Sequence, residues 1–252
     1  MIFLFLLLVY PLFCFDCQTS FYKGHKYGNF GGTDLCKNDY FYLSYSSDMI
    51  NPDYAAFYLT YENMINLKGG RRSFLNDPVL QKMSIVQANP SSKAFSNIIN
   101  RGHLTPSHAM SWNKTIDGPW YCCYMMSNIA PQNAKLNQIK WSQLETNEIN
   151  FILNNKLNLY VITGVGYYDR NNPTRLTDNI AYPDYFYNAI CDDKNKQSVA
   201  FIARNDNIHT NDTLILRSVS YLEDYIGNKL FDDCNNDKID INHWWLDIIS
   251  NM

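Results

Sequence analysis

The sequence predicts an α+β fold built on a mainly antiparallel central sheet. Three features indicate this class: several apolar and aromatic runs of strand length, two stretches with helical periodicity, and no regular alternation of strand, helix and strand. A parallel sheet would need that alternation, because the connections between its neighbouring strands usually contain a helix. Most of the predicted strands are therefore expected to pair antiparallel.

The predicted strands are apolar runs bounded by polar or turn-forming residues. Residues 157–164 are the best candidate for a central strand, and a turn-like segment at residues 192–195 separates two runs that are expected to pair. The run at residues 120–130 is expected to end in a turn at Pro131. In chain order, the predicted strands cover residues 55–61, 120–130, 157–164, 186–190 and 198–203.

Two helices and two long loops complete the predicted architecture. Apolar residues recur at helical spacing from Asn137 to about Leu153. A second, shorter helix is expected from Ser218 to Leu230, with a serine near its start as the N-cap. Gly and Pro interrupt residues 66–98, and residues 166–183 are polar, so both segments are expected to be irregular.

The N-terminus has the character of a secretory signal peptide. Residues 1–13 are nearly all apolar, whereas a helix that spans a bilayer needs roughly 20 such residues. The run suits the apolar region of a signal peptide. We therefore expect residues 1–16 to be removed, a single domain over residues 17–252, a secreted protein, and no membrane span.

The cysteines agree with an oxidising compartment. One of the seven, Cys14, would leave with the signal peptide, and the other six could form three disulfides in any of 15 connectivities. A zinc site is a weaker alternative, because no Cys-x₂-Cys pair exists. Two glycosylation sequons, Asn113-Lys-Thr115 and Asn211-Asp-Thr213, also suit secretion. The pairing that we predict joins Cys17 to Cys36, and Cys122 and Cys123 separately to Cys191 and Cys234.

The charge composition excludes binding of a polyanion by bulk electrostatics. The formal net charge is -3, and the chain has no Lys/Arg tract. Proteins that hold nucleic acid by overall charge are basic. If this chain binds a polyanion, a local group of arginines and a metal ion must provide the attraction.

A first chemical motif lies at residues 100–105. Gly102 permits a close approach of the backbone, Arg101 offers a fixed cation suited to phosphate, and the ordinary pKa of His103 lies near neutral pH. Hydrolysis of a phosphodiester needs a base, neutralisation of charge in the transition state and stabilisation of the departing oxygen. These residue types and a hard metal ion could supply all three, although a histidine alone is more often structural.

A second motif lies on the first predicted helix. Asn137, Trp141 and Glu145 are spaced i, i+4, i+8, and so they would lie along one helix face with a drift of only about 40° per step. An amide oxygen and a carboxylate at this spacing suit Mg²⁺, which prefers oxygen ligands and keeps several waters. The alternative is an amphipathic helix with Trp141 in the core and Glu145 in solvent.

The two motifs in this order resemble the DNA/RNA non-specific endonuclease family, which includes secreted bacterial nucleases and mitochondrial endonuclease G. Its first signature, Asp-Arg-Gly-His, is matched by residues 100–103. Its second signature, Ser-Asn-x-x-Pro-Gln followed by Leu-Asn-Gln, Trp and Leu-Glu, is matched by residues 127–145. Weaker similarity, including Arg72 in an upstream segment, extends the resemblance over roughly residues 40–232.

The resemblance implies a ββα-metal (His-Me finger) active site that cleaves DNA and RNA. His103 would be the general base, and Asn137 would bind Mg²⁺ directly, with Mn²⁺ as a substitute. Glu145 would hold a water bound to that ion. The ion would stabilise the departing 3′-oxygen, and cleavage would leave 5′-phosphate ends. Arg72 and Arg101 would contact phosphate, and Asn128 would contact the substrate or support its loop. A homodimer is one possible assembly.

Two departures from the family pattern leave a second hypothesis open. Asn100 stands where the first signature begins with Asp, and Ile149 stands where secreted bacterial members often carry Arg. The neighbouring Arg71 could replace the second contact. A catalytically impaired nuclease fold that binds nucleic acid or a protein partner is therefore the alternative. A disulfide-bonded structural glycoprotein would leave both motifs unexplained.

Overall fold

The fold is taken from a computed structural model that describes residues 17, 20–21, 31–192, 194–206, 214–234 and 237. The expected signal peptide, Cys14 and the sequon at residues 211–213 lie outside the described residues. Within them, no helix combines the length and apolar character needed to cross a bilayer.

Nine strands and five α-helices are described. The strands are β1 Thr33–Lys37, β2 Phe41–Ser46, β3 Asn51–Leu59, β4 Ile99–His103, β5 Ile129–Asn133, β6 Leu159–Gly166, β7 Tyr185–Asp192, β8 Gln197–Arg204 and β9 Ile215–Arg217. The α-helices are α1 Tyr61–Met64, α2 Pro78–Lys82, α3 Pro119–Cys123, α4 Ser142–Asn155 and α5 Val219–Ile226, and a π-helical turn, Leu136–Trp141, leads directly into α4.

Seven of the strands form one antiparallel sheet in the order β1-β2-β3-β6-β7-β8-β9. Every neighbouring pair is antiparallel, as Ala55 opposite Thr163 and Ile190 opposite Val199 illustrate. Strands β4 and β5 pair separately, with His103 opposite Ile129. The predicted α+β class with a mainly antiparallel sheet is confirmed.

The sheet separates two apolar cores, because successive side chains of a strand point to opposite faces. One core, here called the cleft-side core, includes Phe57, Val161 and Phe186 and packs against α4 and the β4–β5 pair. The other, here called the disulfide-side core, includes Tyr54 and Ile162 and packs against α5.

Most of the predicted elements are confirmed. Strands β3, β6, β7 and β8 cover the apolar runs, and the predicted helix at residues 137–153 is found as the π-helical turn followed by α4. Ser218 caps the last helix by accepting a hydrogen bond from the Tyr221 N–H. Gly227, with φ of 69°, ends that helix before the predicted Leu230.

The predicted strand at residues 120–130 is wrong in its first part. Pro119 starts α3 at a position where proline's missing N–H costs no hydrogen bond. The strand begins only at Ile129 and continues through Pro131, which was predicted to form a turn. Pro131 can lie in β5 because the two-stranded sheet leaves its strands with free edges.

Two disulfides are found among the described residues, and the predicted pairing is right for one of them. Cys17 bonds to Cys36, as predicted. Cys191 bonds to Cys234, while Cys122 and Cys123 carry buried free thiols, so their predicted disulfides are wrong. The reason is the sheet: both free thiols belong to the cleft-side core, whereas the Cys191–Cys234 bond lies in the disulfide-side core.

Candidate functional site

One open cavity of about 740 Å³ brings the two sequence motifs together. Strand β4 contributes residues of the first motif, and the π-helical turn and α4 contribute residues of the second motif. The segment before α2 contributes two arginines. Five of the six predicted site residues line this cavity: Arg72, Arg101, His103, Asn137 and Glu145.

His103 lies at the end of β4 in an aromatic setting. Its ring lies 5.4 Å from that of Phe74 and 5.0 Å from that of Tyr124, measured between centroids. Burial lowers the pKa of His103 to about 4, because the charged imidazolium would lose its water. The ring is therefore neutral near pH 7, and its buried Nε2 has no hydrogen-bond partner among the described residues.

Gly102 places that histidine by allowing close packing across the β4–β5 pair. A Cβ at this position would lie 2.4 Å from Oε1 of Gln132 and 2.7 Å from its Cβ. No side chain fits there, so any substitution would push the two strands apart. The close approach that the sequence predicted at Gly102 is thus made by a neighbouring side chain.

Arg72 and Arg101 are held by aromatic rings. The Arg72 guanidinium lies 3.9 Å from the ring centroid of Tyr121. Arg101 lies 4.6 Å from that of Phe95 and donates a hydrogen bond of 2.5 Å to the Pro90 carbonyl. The Nε atom of each arginine is buried without a partner among the described groups. Such preorganised cations suit the charge of a phosphate.

Asn100 fixes the orientation of the predicted metal ligand. Its Oδ1 accepts hydrogen bonds from Nδ2 of Asn137, at 3.0 Å, and from Nε2 of Gln138, at 2.7 Å. Because the amide nitrogen of Asn137 is held by Asn100, its amide oxygen is directed elsewhere, and Asn137 lines the cavity. A carboxamide supplies this acceptor as a carboxylate would.

Glu145 provides a second oxygen donor on the cavity wall. It is half-buried, and burial raises the pKa of its carboxyl to about 8. A nearby cation would favour the ionised form instead. Glu148, one turn further along α4, is 1% exposed, and burial raises its pKa well above the ordinary value. Glu148 does not line the cavity.

The predicted alignment of three helical residues holds for only two of them. Asn137 and Glu145 line the cavity, but Trp141 is 1% exposed and packs edge-on against Phe186 in the cleft-side core. A π-helical turn rotates less per residue than an α-helix, because its hydrogen bonds span i to i+5. The turn therefore shifts Trp141 relative to its neighbours along the helix.

Asn128 does not contact the cavity, which corrects its predicted role in substrate binding. Its side chain is fully buried, and its Oδ1 accepts a hydrogen bond from the Thr105 N–H at 2.9 Å. Its Nδ2 donates to the carbonyls of Thr105 and Cys123, each at 3.0 Å. Asn128 ties the segment after β4 to the end of α3, which was the structural alternative.

A buried ion pair anchors the end of the segment that carries Arg71 and Arg72. Asp77 accepts hydrogen bonds from Lys37 and Ser127 through one oxygen, and its other oxygen caps α2. Lys37 and Asp77 are both almost fully buried. These contacts join β1, the segment between Arg72 and α2, and the loop that precedes β5.

Some residues that line the cavity lie outside the predicted set of site residues. His108, assigned no role, is exposed on the cavity wall, and Arg71 lies there beside Arg72. Gln138 contacts Asn100, which places it beside the predicted metal ligand. Arg71 and Gln138 adjoin predicted site residues in the sequence, whereas only the folded cavity relates His108 to the site. Ile149, in contrast, is buried in the cleft-side core.

The cavity has the charge expected for an anionic ligand. Three arginines, Arg71, Arg72 and Arg101, line it, and Glu145 is the one acidic residue among the described lining residues. The raised pKa of Glu145 reduces its negative charge near pH 7. A chain with a net charge of -3 thus presents a locally cationic site, as the composition required.

Comparisons with known proteins agree with this geometry. A sequence model of the DNA/RNA non-specific endonuclease family matches residues 21–237. No curated protein matches the chain. Among solved structures, the chain is similar in fold to one in the crystal structure of the EndoG/EndoGI complex, with a TM-score of 0.52 and 19% identity over 76% of this chain and 83% of that chain. Because the family match covers most of the sequence, the protein belongs to the DNA/RNA non-specific endonuclease family and is a nuclease hydrolase.

Proposed function

We propose that this nuclease is a secreted, divalent-metal-dependent enzyme that hydrolyses the phosphodiester bonds of DNA and RNA, with His103 as general base. One observation carries the proposal. A single open cavity collects a neutral histidine, an oriented amide oxygen, a carboxyl group and three arginines. In this proposal β4, β5 and the helix that follows them form the ββα-metal motif.

His103 takes a proton from the attacking water. A base must be unprotonated before it acts, and burial keeps the imidazole neutral near pH 7. The rings of Phe74 and Tyr124 both pack against the imidazole and restrict its rotation. Arg72 and Arg101 offset the negative charge that develops on the phosphate oxygens in the transition state.

The residues present fit a hard divalent cation. Asn137 and Glu145 both offer oxygen, the ligand that Mg²⁺ prefers, and the Asn100 hydrogen bond leaves the Asn137 amide nitrogen turned away. Mn²⁺ accepts the same ligands. When bound, such a cation stabilises charge on the departing 3′-oxygen, which leaves 5′-phosphate ends.

The impaired, non-hydrolytic alternative receives no support from the two departures. Asn100 accepts both of its hydrogen bonds through its amide oxygen, a function that does not require a carboxylate. Ile149 faces the cleft-side core, so an arginine is absent from a position that does not line the cavity. Arg71 lines the cavity and supplies a further cation.

Secretion is supported by the apolar N-terminal run and by the two disulfides. In this proposal residues 1–16 are a signal peptide. The cavity lies on the surface of one chain, and none of its lining residues requires a second copy. A homodimer is therefore compatible with the activity but is not needed for it.

The proposal is tested with purified mature protein, supercoiled plasmid and a structured RNA. Both should be cut in Mg²⁺ or Mn²⁺, neither should be cut in EDTA, and the product ends should accept label from a polynucleotide kinase only after phosphatase treatment. Cleavage in EDTA would overturn the metal requirement. Ends that take label without phosphatase would overturn the predicted position of bond cleavage.

A further inference from the structure

A cation–aromatic group borders the cavity on the side of Arg72. Lys114 Nζ lies 4.7 Å from the ring centroid of Trp120, and Arg72 Cζ lies 5.8 Å from the same centroid. The two cations are thus less than about 11 Å apart. Trp120 in turn packs edge-on against Tyr124, which contacts His103. One indole therefore links Lys114 to the catalytic cavity.

The position of Lys114 depends on a glycine that lines the cavity. A Cβ on Gly70 would lie 2.8 Å from Lys114 Nζ, so a larger residue would displace the ammonium group. Gly70 also has φ of +115°, which other residues rarely adopt. The ammonium group consequently lies directly beside the cavity wall.

The loop that carries Lys114 is internally braced. Asn113 Oδ1 accepts hydrogen bonds from the Thr115 N–H at 3.0 Å and from its hydroxyl at 2.8 Å. The Thr115 carbonyl accepts one from the Gly118 N–H at 3.0 Å. These bonds fix the backbone on both sides of Lys114 and lead into α3, which carries Trp120.

Within the described part of the chain, the Lys114 ammonium group contacts the Trp120 ring but no carboxylate. Its side chain is exposed and makes no ion pair there. Asp117, in the same loop, interacts electrostatically with Tyr40 and Cys122. A lysine held on an aromatic ring beside a cationic cavity is placed to bind a second anionic group of a ligand that occupies the cavity.

We propose that Lys114, held by Trp120, binds a phosphate of the substrate strand other than the one that is cut. The proposal rests on the proposed function, since it requires a nucleic-acid strand in the cavity. A strand carries one phosphate per nucleotide, with a rise of about 3.4 Å along a duplex. Because the strand winds around the helix axis, neighbouring phosphates lie farther apart than this rise, so cations less than about 11 Å apart contact adjacent or nearly adjacent phosphates.

Lys114 then contributes to affinity and to the minimal substrate length. A small diester such as bis(p-nitrophenyl) phosphate has no second phosphate and gains nothing from Lys114. An oligonucleotide gains one ionic contact, which also makes its binding more dependent on salt. The distinguishing readout is thus a change in KM that depends on substrate length.

The experiment compares Lys114→Gln with wild type on a 12-nucleotide DNA and on bis(p-nitrophenyl) phosphate. We expect KM for the oligonucleotide to rise about three- to tenfold with little change in kcat. The slope of log KM against log salt concentration should fall by about 1. Trp120→Leu should reproduce the effect in part. The matched control is Lys194→Gln, which removes the same charge from the turn after β7, away from the cavity.

The outcomes separate this inference from the proposed function. If wild type cleaves both substrates and Lys114→Gln keeps the wild-type KM and salt slope, only the inference is overturned. It is also overturned if both substrates are affected equally, because the residue would then act on the reacting phosphate or on the fold. If wild type cleaves neither substrate, the proposed function fails, and fluorescence anisotropy with the same oligonucleotide still measures whether Lys114 contributes to binding.

Discussion

The two faces of the seven-stranded sheet are stabilised in different ways. The disulfide-side core contains Cys17, Cys191 and Cys234, with Cys36 packed against it, so both disulfides lie on this face. The cleft-side core contains the two free thiols, and packing, hydrogen bonds and the buried Lys37–Asp77 ion pair support the cavity. Among the described residues, covalent reinforcement therefore lies on the face opposite the cavity.

The cleft-side face carries buried polar groups that have no hydrogen-bond partner among the described residues. Buried nitrogens of Arg72, Arg101 and His103 have no partner among the described residues, and each belongs to a side chain that lines the cavity. Unsatisfied buried donors reduce stability. A buried hydroxyl without a described partner also occurs in the disulfide-side core, at Tyr187, but that residue does not line the cavity. In the cleft, a bound ligand can satisfy the unpaired groups and offset their cost.

The largest effect on the cleft-side face is expected from removing the proposed general base, His103. His103→Ala is expected to lower kcat on plasmid DNA by about 10²–10⁴, because no other described group takes its place in proton transfer. The matched control is His108→Ala, an exposed histidine on the same cavity wall, which should lower kcat by less than about tenfold. Equal losses from the two variants would contradict the assignment of His103.

Removing a disulfide should affect stability and leave the chemistry in place. The double variant Cys191→Ser with Cys234→Ser opens a loop with a sequence separation of 43, and the free energy of unfolding should fall by roughly 2–5 kcal/mol. Urea unfolding measures this loss, and kcat at 25 °C should change by less than about twofold because the cavity is on the other face. Cys122→Ala, which removes no disulfide, should cost about 1 kcal/mol. A similar cost for both changes would argue against the observed pairing.

A buried carboxyl makes the stability of the disulfide-side region depend on pH. Asp53 is 1% exposed and interacts electrostatically with Tyr54 and Tyr187. Burial raises its pKa to about 6, although the Arg170 guanidinium partly opposes the shift. The folded state therefore binds the proton more tightly than the unfolded chain, and stability from this group is lost as pH rises from about 4 to about 6.

Asp53→Asn should remove that pH dependence. The wild-type free energy of unfolding, minus that of the variant, is expected to fall by about 3 kcal/mol at most between pH 4 and pH 7. Urea unfolding of both proteins at several pH values provides the measurement, and the subtraction cancels other titrating groups such as His103. A flat difference across this range would mean that Asp53 is ionised with its ordinary pKa.

The smallest expected effect sharpens the role of Asn100. Asn100→Ala frees the Asn137 amide to rotate, and Mn²⁺ affinity should fall about 10- to 100-fold, as expected when a group that orients a metal ligand is lost. Asn100→Asp keeps the acceptor, and its affinity should equal or exceed that of wild type. Titration of Mn²⁺ by electron paramagnetic resonance measures binding without relying on turnover. Unchanged affinity in Asn100→Ala would show that Asn137 needs no support.

The sequence predicted best those elements whose local pattern has one physical solution. Strands β6, β7 and β8 are long apolar runs bounded by turns, and the structure confirms them. The run Trp120–Cys123 is equally apolar, but Pro119 and local hydrogen bonds make it a helix. An apolar run of this length does not distinguish a buried strand from a buried helix.

The residues that line the cavity could be predicted where they belong to a sequence motif, and they were missed where only tertiary structure brings them together. His103, Asn137 and Glu145 were selected because their two motifs resemble the signatures of a known family, and they line one cavity. His108 and Lys114 lie on separate loops, and no sequence pattern relates them to it. The disulfide pairing failed for a related reason, because spacing does not reveal which face of a sheet a cysteine occupies.

The π-helical turn also explains how an eight-residue spacing can place two oxygen donors on one wall. In an α-helix, seven residues return to nearly the same direction, and an eighth residue turns the side chain by about 80° from the first. The turn before α4 takes up the extra residue, and Ile139, within it, projects into solvent with 58% of its surface exposed. The helix thus carries a one-residue insertion whose side chain lies in solvent and displaces no core residue. Asn137 and Glu145 consequently face the same cavity.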